Sequence, residues 1–226
     1  MLHKFIVERN DFLHQNVQGF YRTDYVGYQQ PNNPDYLNTL KNTFNKTPKN
    51  ELMSAVKALK YNLIDELNYI YQQLDLSDKL YICVVPRAKA LETYSEYQLI
   101  FRILFQAIVG SDKLNQNLFG DGIDFIIRTR NTRTTHLNGR CLSIENDGDM
   151  PYVGITKDTC QLSPEIAGKH ILLIDDIYTK SINIDEDVLQ ALLDCGAKSV
   201  TLFAIARTVL KSRHFQFTKR STIEFI

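Results

Sequence analysis

Apolar and polar positions alternate along the chain in a way that predicts a series of strand–turn–helix units. The clearest unit runs from His170 to Asn183, HILLIDDIYTKSIN. Four apolar residues, Ile171–Ile174, lead into Asp175 and Asp176, then a short polar turn, then a helical pattern from Ile184. A continuous apolar run of this kind reads as a strand buried on both faces, as in a parallel sheet. Ile184, Val188, Leu189, Leu192 and Leu193 mark the helical face, Gly196 stands where a helix C-cap is expected, and Val200–Ala206 reads as the next buried strand. Together they predict a βαβ unit with a parallel strand pair.

The same logic applies upstream. Leu80–Val85 predicts a strand, followed by the turn Pro86-Arg87-Ala88-Lys89 and a helix carrying Tyr97, Ile100, Phe101, Leu104, Phe105 and Ile108 on one side. Ile123–Ile127 predicts a third strand and Tyr152–Ile155 a short one, with a turn at Asn146–Asp149 between them. Leu52, Val56, Leu59, Leu63, Leu67, Ile70 and Leu74 recur at intervals of four or three, the stripe of one long amphipathic helix, with Asn50 as its N-cap. That stripe suits packing on the sheet or against a second copy of the chain. Residues 1–48 are polar and aromatic and show no clean period. They read as an irregular extension packed on the body, or alternatively as a base-stacking or partner-binding surface. Ile223–Ile226 reads as an edge strand.

Composition narrows the classes. The chain has 226 residues, enough for one large domain, and 26 basic residues balance 26 acidic ones. Zero net charge gives no overall drive toward nucleic acid or anionic membranes. No apolar run is long enough to span a bilayer, and MLHKFIVERNDF lacks the apolar core of a secretory signal. Cys83, Cys141, Cys160 and Cys195 are far apart and form no CxxC pair, so neither a zinc cluster nor a disulfide framework is expected, and a cytoplasmic location is.

Three stretches carry candidate chemistry. Asp175 and Asp176 fall at the carboxyl edge of the predicted sheet, where open α/β folds bind ligands. The following helix offers free backbone N–H groups and its positive dipole end to the turn. Carboxylates beside an anion-binding turn suit a ligand with hydroxyls and a phosphate. Arg87 and Lys89 stand where a second anionic group would be held, or alternatively are two cations of an ordinary surface turn. RTRNTRTTHLNGR, residues 128–140, carries Arg128, Arg130, Arg133 and Arg140 and no acid. It reads as a loop that closes over an anionic ligand, since arginine forks match phosphate oxygens, or as a nucleic-acid contact. His136 has no second ligand at a useful spacing and reads as a loop residue.

The acidic stretch resembles the phosphoribosyl-pyrophosphate (PRPP) motif of type I phosphoribosyltransferases: an apolar strand, two acids, then a Thr-Thr-Gly-x-Thr loop. RTRNTRTTHLNGR is similar to the R-x-R-x-T…L…R segment of that family's ComF-like branch. Val84-Val85-Pro86 with the Tyr94–Ile108 helix, and Ala204-Ile205-Ala206-Arg207-Thr208, also resemble that branch, so the likeness covers roughly residues 80–210. It implies a Rossmann-like α/β fold with a parallel sheet at residues 80–226, preceded by a mostly helical N-terminal extension or hood at 1–79.

The resemblance further implies that Asp175 and Asp176 bind the ribose hydroxyls and are the catalytic pair. Thr179, Lys180, Ser181, Ile182 and Asn183 would wrap the 5-phosphate. Arg87 and Lys89 would hold pyrophosphate, and Arg128, Arg130 and Arg140 would close over it. Magnesium (Mg2+) would come bridged by the pyrophosphate near Asp175 and Asp176, with no direct protein ligand. Chemistry would be displacement of pyrophosphate at the anomeric carbon. The loop departs from the family pattern: Lys180 replaces the second threonine, Ser181 the glycine and Asn183 the last threonine. Zinc-binding cysteines often found ahead of ComF-like domains are absent. The alternative is therefore a catalytically altered regulatory or effector subunit of that fold, as in a nucleic-acid-linked or toxin-like defence system. The expected partners are a small phosphoribosyl ligand and a second copy or an effector partner protein, with nucleic acid reached only through a partner or the 128–140 loop.

Overall fold

A computed structural model describes residues 2–135 and 146–209. Arg140, His136, Cys141 and the proposed edge strand Ile223–Ile226 lie outside these residues.

The central feature is a six-stranded sheet with the order β1-β2-β8-β7-β3-β4. Its strands are β1 (His3–Val7), β2 (Val17–Tyr25), β3 (Leu80–Val84), β4 (Phe119–Asp121), β7 (His170–Tyr178) and β8 (Ser199–Thr208). Among the described strands of this sheet, only β1 runs antiparallel, against β2; β2, β8, β7, β3 and β4 are mutually parallel. Two further strands, β5 (Ile126–Arg128) and β6 (Cys160–Leu162), form a separate antiparallel ribbon. The fold is mixed α/β with a mostly parallel central sheet, compatible with a Rossmann-like arrangement.

Helices cover both faces of the sheet. On one side α1 (Tyr36–Lys41), α2 (Lys49–Lys60), α3 (Leu63–Leu74) and α4 (Ile100–Val109) share a core with Leu80, Ile82, Leu172, Ile174 and Phe203. On the other, α6 (Ile184–Asp194) buries Val188, Leu189 and Leu192 against Ile171, Leu173 and Leu202. Successive β7 residues up to Ile174 thus alternate between the two cores, which explains why that run is apolar at every position. The short α5 (Ile155–Thr159) packs beside α6.

The βαβ unit β7–α6–β8 is as expected, with Leu173 opposite Leu202 and Ile174 opposite Phe203. α6 ends at Gly196, whose φ of 84° closes the helix. The Gly196 N–H donates to Leu193 O at 2.9 Å and the Ala197 N–H to Leu192 O at 3.1 Å, the paired bonds of a Schellman cap.

Several expectations are corrected. Residues 1–48 are not an irregular extension: β1 and β2 form one side of the sheet. Gly19 allows this pairing, because a Cβ there would lie 2.4 Å from the Phe5 ring. The core joins Leu59, Leu63, Leu67 and Ile70 to Leu80, Phe105 and Ile174, so apolar packing runs across residue 79. The long helix is two helices, because Asn62 takes a left-handed conformation (φ 62°) that a helix cannot continue through; asparagine tolerates it better than most residues. α2 starts at Lys49 after Pro48, ahead of Asn50. The Pro86–Leu99 stretch holds a short 3-10 turn (Leu91–Thr93), and the helix begins only at Ile100, leaving Tyr97 exposed. Ile123–Phe125 is a 3-10 turn between β4 and β5, and residues Tyr152–Gly154 form a turn into α5 rather than a strand.

Candidate functional site

The order of the strands locates a site without reference to any side chain. From β3 the chain passes through α4 to β4 on one side, while from β7 it passes through α6 to β8 on the other. The direction of winding therefore reverses between β3 and β7, and a crevice forms outside their carboxyl ends. Val84 pairs with Ile174 there, and the Val85 N–H donates to Ile174 O at 2.9 Å. Asp175 and Asp176 are the next residues of β7.

The strand runs on through both acids to Tyr178, with Asp175 opposite Ala204 and Ile177 opposite Ala206. The carboxylates thus belong to the strand rather than to the turn after it. Asp176 pairs with Lys41, the last residue of α1, at 3.0 Å between Nζ and Oδ1. Burial works against the Lys41 ammonium, but the carboxylates of Asp176 and Asp175 outweigh it and hold its proton more firmly than usual. Burial, reinforced by Asp176, pushes Asp175 up to about 7, with Lys41 and the backbone N–H groups of Asp176 and Ile177 acting in the opposite sense.

α6 brings three more acids into the interior. Asp185, Glu186 and Asp187 are 5%, 1% and 3% exposed. Asp187 accepts from the Gly154 N–H at 2.6 Å and the Thr156 N–H at 2.7 Å, fastening α5 to α6. Glu186 accepts from the Tyr178 hydroxyl at 2.8 Å. Asp185 Oδ1 and Glu186 Oε2 have no hydrogen-bond partner among the described residues. Asp185 is raised well above the ordinary carboxyl range by burial and by Asp175, Glu186 and Asp176, so it shares the field of the twin aspartates. Their position in the first helical turn, where the dipole favours negative charge, offsets part of that burial.

The turn from Thr179 to Asn183 is compact. The Ile182 N–H donates to Thr179 O at 3.0 Å, and the Thr179 and Thr208 hydroxyls meet at 2.6 Å. Ser181 is exposed and Ile182 half-buried. Asn183 supplies the left-handed residue (φ 60°) that leads into α6, so the absent glycine at 181 is offset two positions later. The loop between β1 and β2 covers this turn: the Asn10 amide donates to Asn183 Oδ1 at 3.0 Å, and Lys180 pairs with Glu8 at the surface.

The expected anion-binding cations are occupied by the protein itself. Arg87 donates to Lys41 O at 2.6 Å and Gln98 O at 2.5 Å and lies over the Tyr94 ring. Lys89 donates to Thr132 O and pairs with Asp147. Arg128, 3% exposed, donates to Arg87 O at 2.7 Å and to the Thr159 hydroxyl. Arg130 donates to Asp158 O at 3.2 Å. Thr132 donates to Ala88 O through both its N–H and its hydroxyl. The described part of the basic segment is therefore docked on the turn after β3, because its donors satisfy backbone carbonyls there. The turn at Asn146–Asp149 closes against it, with Gly148 at φ 93° and Asn131 donating to Asp147.

The crevice thus gathers Asp175, Asp176, Asp185 and Lys41. The sequence drew attention to the first two. Asp185 was visible only as one acid in Ile184-Asp185-Glu186-Asp187, and Lys41 lay in a polar stretch with no pattern. Ionised carboxylates only accept hydrogen bonds, and an ammonium only donates. This set suits a ligand bearing hydroxyl donors next to an anionic group. No protein-family model matches the chain, and no curated protein matches it. No helix among the described residues is long and apolar enough to cross a membrane.

Proposed function

We propose that this chain binds PRPP or a ribose 5-phosphate ester with Mg2+ at the carboxyl ends of β3 and β7, on a fold of the type I phosphoribosyltransferase kind. The observation that carries the reading is the twin aspartate at the winding reversal, one turn ahead of a helix N-terminus. In this reading the ribose hydroxyls donate to Asp175 and Asp176, and the 5-phosphate lies against the Thr179–Asn183 turn. Asp185, buried behind them, adds a carboxyl to the low-dielectric side of the crevice.

Among the described residues, no three His, Cys, Asp or Glu side chains converge on a metal position. In this reading a magnesium ion would arrive on the ligand's phosphates and lie near Asp175 and Asp176 without a direct protein ligand. That ion would neutralise charge on the pyrophosphate. Transfer to a base would break the anomeric carbon–pyrophosphate oxygen bond and form a carbon–nitrogen bond, and transfer from a base would do the reverse, with the protein supplying orientation and exclusion of water.

A second reading is favoured by one observation: Arg87, Lys89 and Arg128 are already engaged by protein groups. A site with few free cations suits a regulatory or effector subunit that binds such a ligand without turnover. Thermal unfolding with PRPP and Mg2+ tests the binding that both readings share. Ligand at a hundred times its dissociation constant adds about 2.7 kcal/mol of stability. The Asp175→Asn, Asp176→Asn double variant is expected to stay folded and lose that shift. An unmoved melting temperature for the natural chain at saturating PRPP would dismiss the proposal. Pyrophosphate release with an added base then separates turnover from binding alone.

A further inference from the structure

A ligand with a phosphate at each end needs a second cationic contact, and the residues that the sequence offered for it are turned elsewhere. Arg87 grips two carbonyls, Lys89 grips the 132 and 147 segments, and Arg128 is buried against Arg87 and Thr159. Lys41 differs from all three. Its ammonium pairs with Asp176 at 3.0 Å within the field of Asp175, and its side chain is 26% exposed. Its one hydrogen bond among the described residues is to that carboxylate, with Asp175 adding to the field it sits in, so the ammonium has N–H donors left to offer an incoming group.

The backbone that carries Lys41 is rigidly held. Arg87 donates to the Lys41 carbonyl at 2.6 Å. The next residue, Asn42, is 4% exposed and left-handed (φ 37°), and its side-chain oxygen accepts from the N–H groups of Lys46 and Thr47, both at 3.0 Å. Arg87 therefore acts on the site through Lys41: it fixes the point from which the flexible four-carbon stem swings. A lysine is suited to this, being a compact point charge that can follow an anion over a short distance.

We propose that Lys41, supplied by the N-terminal region, contacts the anionic group on the anomeric side of the bound ribose and so sets the preference for PRPP over ribose 5-phosphate. The assignment rests on the phosphoribosyl reading of the crevice. In the free protein Lys41 neutralises Asp176. When the ribose hydroxyls engage the aspartates, the ammonium keeps that contact and adds the second anionic group of the ligand.

Calorimetric titration of the full chain with PRPP plus Mg2+, and separately with ribose 5-phosphate, tests this. The natural chain is expected to favour PRPP by about tenfold or more, the scale of one charge-assisted contact. Lys41→Met is expected to lose about tenfold toward PRPP and less than about threefold toward ribose 5-phosphate. Lys41→Arg, which keeps the charge, should retain most of the preference. Lys41→Gln carries the same expectation as Lys41→Met and replaces it should the methionine variant not fold. Equal losses toward both ligands, or tighter PRPP binding by Lys41→Met, would overturn the assignment and leave the phosphoribosyl reading standing. Absence of binding of either ligand to the natural chain would overturn both.

Discussion

The Asp175 carboxyl makes the protein's stability fall as pH rises through the neutral range. Its proton is held to about 7 in the folded chain, against an ordinary 3.8. A carboxyl raised in this way binds protons in the native state that the unfolded state has already released. Its contribution is fully present below 3.8 and is lost as pH climbs to 7 and beyond. Moving one carboxyl over that interval is worth about 4 kcal/mol, of which about 2–3 kcal/mol disappears between pH 5 and 8. Asp185, raised by the same burial, adds to the fall. His170 acts in the opposite sense, because burial lowers its pKa, so its contribution grows as pH rises toward 6.5 and is constant above it. Comparison with Asp175→Asn cancels His170 and reads Asp175 together with the part of the Asp185 shift that Asp175 causes. Urea unfolding at pH 5, 6, 7 and 8 reads the difference, by extrapolation to water at each pH. The natural chain should lose about 2–3 kcal/mol more across this range than Asp175→Asn. Parallel curves for the two proteins would refute the burial of this carboxyl beside Asp176.

Two other perturbations probe how the crevice is framed. Arg22 donates from β2 to both Glu66 carboxylate oxygens on α3 and to Leu59 O, with side-chain exposures of 17% and 14% for the pair. Arg22→Ala should cost about 3 kcal/mol by urea unfolding, and the Arg22→Ala, Glu66→Ala double variant less than the sum of the singles. Asp187→Ala removes the carboxylate that holds the Gly154 and Thr156 N–H groups. It should cost about 2–3 kcal/mol and speed amide exchange at those two positions, measured by hydrogen exchange.

Legibility in the sequence followed locality. β7, α6, Gly196 and β8 are consecutive, and each carries its own signal: an apolar run, a 3.6-residue stripe, a left-handed glycine, another apolar run. β1 and β2 were missed because their placement is decided by pairing with β8, near the opposite end of the described chain, and no local period records that. The stripe from Leu52 to Leu74 was visible as an apolar face, but the break at Asn62 depends on one backbone conformation that asparagine permits without requiring. Ile123–Ile127 has strand composition, yet the sheet takes Phe119–Asp121 and passes the later residues to a ribbon.

The site divides in the same way. The twin aspartates were legible because strand, acids and helix adjoin in the chain. Arg87, Lys89 and Arg128 were legible as cations but not as bonded ones, since their acceptors are carbonyls contributed by Lys41, Gln98, Thr132 and Arg87. Lys41 gave no signal at all. It becomes a site residue only when α1 folds over β7.

The most direct measurement is a crystal structure of the full chain with PRPP and Mg2+. The account predicts ribose hydroxyls within hydrogen-bond distance of the Asp175 and Asp176 carboxylates and the 5-phosphate against residues 179–183. Ribose bound elsewhere, with no density between β3 and β7, would contradict it.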